Sequence, residues 1–217
     1  MTLFRLNRIL IALVTLSLSG LLALTPVAQA LVKIDKESVD LALKYGMQNK
    51  GLGLRNLLGG NWLEGPDGML LNIYTPFMML ATKTYRGDYP ENPSEEDLKK
   101  AKGKYARLIT TLKDPNQRQE VKFSVAMYGD NPAFAANYRS RIQGFGRGKE
   151  FVLKPVRELR QKIANADPEV KVNPYEAINA YYFDFKDLAI LEDYQFILEN
   201  SDTGQVVTFR IRNGSIF

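Results

Sequence analysis

The chain of 217 residues contains no cysteine and no histidine. The first absence excludes disulfides, thiolate nucleophiles and, together with the second, Cys/His zinc sites. The second also removes Ser-His-Asp triads and any histidine acid, base or pH switch. Carboxylate, lysine, tyrosine or serine chemistry is left, or no chemistry at all. There is one tryptophan. Past residue 30 no apolar run approaches the ~20 residues that a membrane helix needs, and no internal repeat or low-complexity tract appears.

Residues 1–30 have the layout of a secretory signal peptide: Arg5 and Arg8, an apolar stretch from Ile9 to Leu24, and Val27-Ala28-Gln29-Ala30 as the cleavage pattern. Thr15, Ser17, Ser19 and Gly20 interrupt the stretch and argue against a retained anchor. There is no adjacent Arg pair, so the general export route is expected rather than the twin-arginine one, and without cysteine the chain is no lipoprotein. Cleavage after Ala30 would leave residues 31–217 as a single domain, located in the periplasm, or in a thylakoid lumen if the source is photosynthetic. Arg5 and Arg8 account for two charges of the formal +5, so residues 31–217 carry +3. A chain of that length buries a real core.

The pattern over Asp35 to Leu58 predicts two short helices with a bend at Asn49 to Gly53, Asp35 and Ser38 opening the first. Trp62 to Gly68 reads as a turn. Met69 to Ala81 is the most apolar stretch outside residues 1–30 and is expected as buried core; an interfacial or partner-binding face is its alternative. Thr75-Pro76 is the cap and first position of a helix within it. Ser94-Glu95-Glu96-Asp97 opens a helix with Leu98, Ala101, Tyr105, Leu108, Ile109 and Leu112 on one face. Val121, Phe123, Val125 and Met127 alternate as in a strand. Phe134, Tyr138 and Ile142 predict a helix over Ala133 to Ile142, ended by Gly144-Phe145-Gly146-Arg147-Gly148, and Pro155 to Ala164 reads as a further helix. Ala180 to Leu188 is strand-like, with Pro174 to Tyr182 also compatible with helical turns. Tyr194, Phe196 and Leu198, a loop at Asn200 to Gly204, and Val207, Phe209 and Ile211 make a hairpin, followed by a turn at Asn213-Gly214. Helices first and strands last predict an α+β fold: a helical N-terminal half packed on a small antiparallel sheet formed mainly by the C-terminal half.

The charge is concentrated. Arg139, Arg141, Arg147, Lys149, Lys154, Arg157, Arg160 and Lys162 stand against only Glu150 and Glu158, so the rest of residues 31–217 is net acidic. Such a field attracts an acidic protein surface or anionic lipid, and Arg139, Arg141, Arg147, Lys149, Arg157 and Arg160 are the expected contact residues. The glycines around Arg147 could form an anion-binding nest, although they match no phosphate-loop motif. Export disfavours nucleic acid. The expected function is therefore a non-enzymatic extracytoplasmic interaction or assembly factor that docks on an acidic or membrane-associated partner, with no cofactor and no metal.

The alternative is a carboxylate-based hydrolase or small-ligand-binding protein. It would use an aromatic cleft of Tyr181, Tyr182, Phe183, Phe185, Tyr194 and Phe196, with paired carboxylates from Asp184, Asp187, Glu192 and Asp193, or Glu64 with Asp67. Glu64 to Asp67 and Ser201 to Asp202 are conceivable calcium loops, but no EF-hand loop is present.

Overall fold

The computed structural model describes residues 34–167, 169, 172–212, 214 and 216. The signal peptide read in residues 1–30 and Asn213 of the last turn lie outside them. The fold is α+β, with the N-terminal part helical and the C-terminal part mostly strands. Helices α1 (Lys36–Gln48), α2 (Leu54–Leu58), α3 (Pro76–Tyr85), α4 (Glu95–Lys104) and α5 (Ala106–Lys113) fall in the N-terminal half, with two short strands between α2 and α3, and one helical turn, α6 (Phe185–Leu188), lies among the later strands.

The helix starts are set locally. Asp35 accepts from the Ser38 amide and the Ser38 hydroxyl accepts from the Asp35 amide, and Ser94 and Asp97 repeat this reciprocal cap. Thr75 Oγ1 accepts from the Met78 amide, with Pro76 at the first helical position. The expected bend after Gln48 is present.

The strands form two antiparallel sheets instead of one small sheet. In the first, β1 (Trp62–Glu64), β2 (Leu70–Tyr74), β3 (Glu120–Gly129), β8 (Tyr175–Asp184) and β6 (Arg157–Leu159) lie in that order, and the two-residue β7 (Asn165–Ala166) also pairs with β8. In the second the order is β10 (Val206–Arg212), β9 (Asp193–Asn200), β4 (Tyr138–Gly146) and β5 (Lys149–Leu153). Alternate residues of both sheets point into a shared core: Leu71 and Ile73, Val121 to Met127 at every second position, Tyr181 and Phe183, Tyr194 to Leu198 at every second position, and Val207, Phe209 and Ile211. A second core of Ala42, Leu43, Met47, Met78, Leu80, Leu98 and Leu112 holds the helices together. Trp62 and Tyr74, from β1 and β2, pack against it, so the helical layer is seated on the outer side of the first sheet at its β1–β2 end.

Several expectations are corrected. Trp62 to Gly68 contains β1 followed by a single 3-10 turn. Met69 to Ala81 is core, as read, but its first half is strand β2 and only the part after Thr75 is helix. The helix expected over Ala133 to Ile142 is a 3-10 turn at Phe134–Asn137 followed by β4. Positions four apart share a face in a strand as well as in a helix, so Phe134, Tyr138 and Ile142 did not discriminate; Ser140, buried between Tyr138 and Ile142, follows the strand period. Gly144 to Gly148 ends a strand and not a helix. Gly144 and Gly146 belong to β4, and Arg147 and Gly148, with φ of 49° and 74°, form the two-residue turn between β4 and β5. A Cβ on Gly146 would lie 2.0 Å from the Ile190 carbonyl oxygen, so glycine serves close packing there and not an anion nest. Pro155 to Ala164 forms no helix and contains the strand β6, and Tyr175 to Tyr182 lies within the strand β8.

Candidate functional site

The basic segment spans three elements and a change of sheet, and its side chains separate accordingly. Arg139 and Arg141 alternate with buried Tyr138, Ser140 and Ile142, so both stand on the outer side of the second sheet. Lys154-Pro155-Val156 then carries the chain from β5 to β6 in the first sheet. This crossing lies next to β4 and encloses a cleft of about 390 Å³ lined by Arg139, Ser140, Arg141, Val152, Lys154, Pro155 and Glu158.

The cleft is built on the Phe134–Asn137 turn. The Ala136 carbonyl accepts from Arg160 Nη1 at 2.6 Å and from Arg139 Nη1 at 3.3 Å, so two guanidinium groups distant in sequence meet at one oxygen. Arg160 Nε also pairs with Glu158 at 3.2 Å. Arg141 pairs with Glu199 at 2.8 Å, across the β4–β9 pairing. The turn itself is fixed from below: buried Asn179 donates to the Ala135 carbonyl at 2.8 Å and accepts from the Gln161 amide at 2.9 Å. Ser140 Oγ is buried at the cleft, and among the described residues it has no hydrogen-bond partner. Val152 is 58% exposed. Three cations (Arg139, Arg141 and Lys154) thus line the cleft beside exposed Val152, and Arg160 joins Arg139 at the Ala136 carbonyl, with Glu199 and Glu158 as the carboxylates of Arg141 and Arg160; the Ser140 side chain turns to the inner side of β4, away from the two arginines.

The other expected contact residues lie elsewhere. Arg147 and Lys149 are exposed at the β4–β5 hairpin tip, where Lys149 Nζ lies 4.9 Å from the Phe151 ring centroid. Arg157 is on the outer face of the first sheet, held to Glu120 at 2.7 Å, a hydrogen bond that raises its already high pKa. The six residues therefore do not make one continuous face: Arg139, Arg141 and Arg160 come together, joined by Lys154, and Arg147, Lys149 and Arg157 do not join them. A wider, shallower groove of about 750 Å³ lies on the second sheet, where Arg210 and Arg212 face Asp193 and Glu150, a balanced set with no preference for one sign of charge.

The aromatic cleft of the alternative reading is not formed. Tyr181, Phe183, Phe185, Tyr194 and Phe196 are buried core, and only Tyr182 of the set points outward. Burial pushes the Tyr181 and Tyr194 hydroxyls well above the ordinary tyrosine range. Asp184 pairs with Arg118 at 3.1 Å and caps α6 by accepting from the Lys186 amide, while Asp187, Glu192 and Asp193 are exposed. Glu64 pairs with Arg55 at 3.0 Å. Asp202 accepts a short hydrogen bond from Asn137 Nδ2. Among the described residues no three His, Cys, Asp or Glu side chains are grouped to hold a metal ion.

No family model, no curated protein and no solved structure matches the chain.

Proposed function

We propose that the protein is a non-catalytic extracytoplasmic interaction or assembly factor, and that its docking site is the cleft between β4 and the β5–β6 crossing. The observation that supports this is that Arg139, Arg141 and Lys154 line one cleft beside exposed Val152, with Arg160 meeting Arg139 at the Ala136 carbonyl. Acidic side chains of a partner protein are the occupants that suit it. Carboxylates would gain charge-assisted hydrogen bonds from the guanidinium groups, and Val152 would provide apolar contact beside them. The arginines are already restrained by Ala136, Glu158 and Glu199, so less side-chain entropy is lost on binding than with free surface lysines. Export by residues 1–30 and a membrane-associated partner belong to the same proposal.

A photo-crosslinking residue placed at Val152 is expected to trap an acidic protein in low salt and to lose most of the product in high salt. The same group at Val206, which is 54% exposed on β10, is the control and is expected to trap none. Equal products at both positions, or no salt dependence at Val152, would contradict the assignment.

A further inference from the structure

A second cationic feature lies on the first sheet, on a different face from the cleft. Four side chains stand in one row across four adjacent strands: Tyr74 on β2 opposite Lys122 on β3, Lys122 opposite Tyr182 on β8, and Tyr182 opposite Arg157 on β6. Their neighbours Ile73, Val121, Phe123, Tyr181 and Phe183 fill the sandwich core, so this row points outward. Aromatic and cationic groups alternate along it. Lys122 Nζ lies 5.2 Å from the Tyr74 ring centroid, and the Arg157 guanidinium carbon lies 3.5 Å from that of Tyr182.

The carboxylates of the next row are already engaged. Glu120 and Asp184 are opposite each other in the β3–β8 register; Glu120 is held by Arg157 at 2.7 Å and Asp184 by Arg118 at 3.1 Å. Lys122 is half-buried and faces a ring instead of an acid. Arg86, exposed at the C-terminal cap of α3, is near enough to act on both Tyr74 and Lys122. Burial first, and then Arg86 and Arg157, draw the Lys122 pKa below its ordinary value, as expected of a cation among cations.

We propose that Lys122, Arg86 and Arg157, with the rings of Tyr74 and Tyr182 as walls, form a binding site for a phosphate-type oxyanion. Such an anion would relieve the repulsion that Arg86 and Arg157 exert on Lys122, and it would accept charge-assisted hydrogen bonds from guanidinium and ammonium groups alike. Exposed Leu159 and Ile178, 52% and 53% accessible, lie on the same face, Leu159 opposite Ala180 in the adjoining row. The phosphate can therefore come from a soluble ester or from a phospholipid headgroup whose chains meet these residues.

The probe is inorganic phosphate, titrated into the protein while the Arg157 Nε–H and Lys122 side-chain resonances are followed by NMR. Wild type is expected to show saturable shifts. The Arg157 shift is expected to need about tenfold more phosphate in Lys122→Gln and in Arg86→Gln, the loss of one charge-assisted contact. Arg86 is exposed, so its variant folds even if Lys122→Gln does not. Arg139→Gln, in the cleft of the other sheet, is expected to leave the titration unchanged. Shifts that never saturate, or equal affinity in wild type and both site variants, would overturn the site. Co-sedimentation with phosphatidylglycerol vesicles, lost in the same two variants, supports the site and identifies a lipid headgroup; phosphate binding without vesicle binding supports it and identifies a soluble ester.

Discussion

Replacing Phe196 with alanine is expected to cost about 3 to 5 kcal/mol of folding stability. Phe196 sits on β9 with none of its surface exposed, and its ring touches rings from both sheets: Phe123 at 5.0 Å, Tyr181 at 5.8 Å, Phe183 at 6.1 Å and Phe209 at 6.3 Å between centroids. Truncation loses the transfer free energy of the ring and leaves a cavity whose walls are large, mutually packed aromatics. Those walls belong to paired strands and cannot close over the space. With domain stabilities of about 5 to 15 kcal/mol, a substantial unfolded fraction is expected. Urea unfolding of wild type and variant gives the difference directly, and a loss below about 1 kcal/mol would show that Phe196 is not a shared contact of the two sheets.

Gly46→Ala is expected to destabilise the helical layer, although the same change in an exposed helix stabilises by about 1 kcal/mol. The reason is the crossing of α1 and α3. A Cβ at position 46 would lie 2.0 Å from the Ala81 carbonyl oxygen and 2.2 Å from Thr84 Oγ1. Backbone cannot yield as a side-chain tip can, so the helices must separate, and with them the 3.0 Å hydrogen bond from Thr84 Oγ1 to the Leu43 carbonyl. Overpacking of this kind costs about 1 to 3 kcal/mol or more and outweighs the gain in propensity. Because the helices have their own core, hydrogen exchange should quicken most in α1 and α3, while β3, β8 and β9 keep more of their protection. A variant as stable as wild type would contradict the close crossing.

What was legible in the sequence was what local signals decide. The capping residues Asp35, Thr75 and Ser94, the alternation in β3, and the β9–β10 hairpin each depend on neighbours within a few positions, and the helix-then-strand order followed from them. The division into two sheets did not follow, because β4 and β6 depend on distant partners, β4 on β9 in the second sheet and β6 on β8 in the first. β6 has three residues and is held by β8, with Val156 donating its amide to the Tyr182 carbonyl at 2.7 Å. The residues proposed for docking were visible as a charge cluster but not as a shape. Arg139 and Arg141 share a strand face, whereas Arg147 sits at a hairpin tip and Arg157 across the sheet change. Lys154 was part of the cluster yet absent from the expected contacts, and its position at the crossing is what closes the cleft. The Ala136 carbonyl, where Arg139 and Arg160 meet, carries no sequence signal. The row of Tyr74, Lys122, Tyr182 and Arg157 comes from four separate segments, so only strand register could bring it together.

The cleft is most directly tested by charge reversal at two places that the sequence alone would treat as one. Arg139→Glu with Lys154→Glu alters the cleft, and Arg147→Glu with Lys149→Glu alters the hairpin tip by the same net charge. Retention of each protein by acidic partners trapped from the Val152 position should be compared in low and high salt. If the cleft is the docking site, the first pair abolishes salt-sensitive retention and the second leaves it nearly intact. Loss in the hairpin-tip pair with retention in the cleft pair, or equal loss in both, would contradict it.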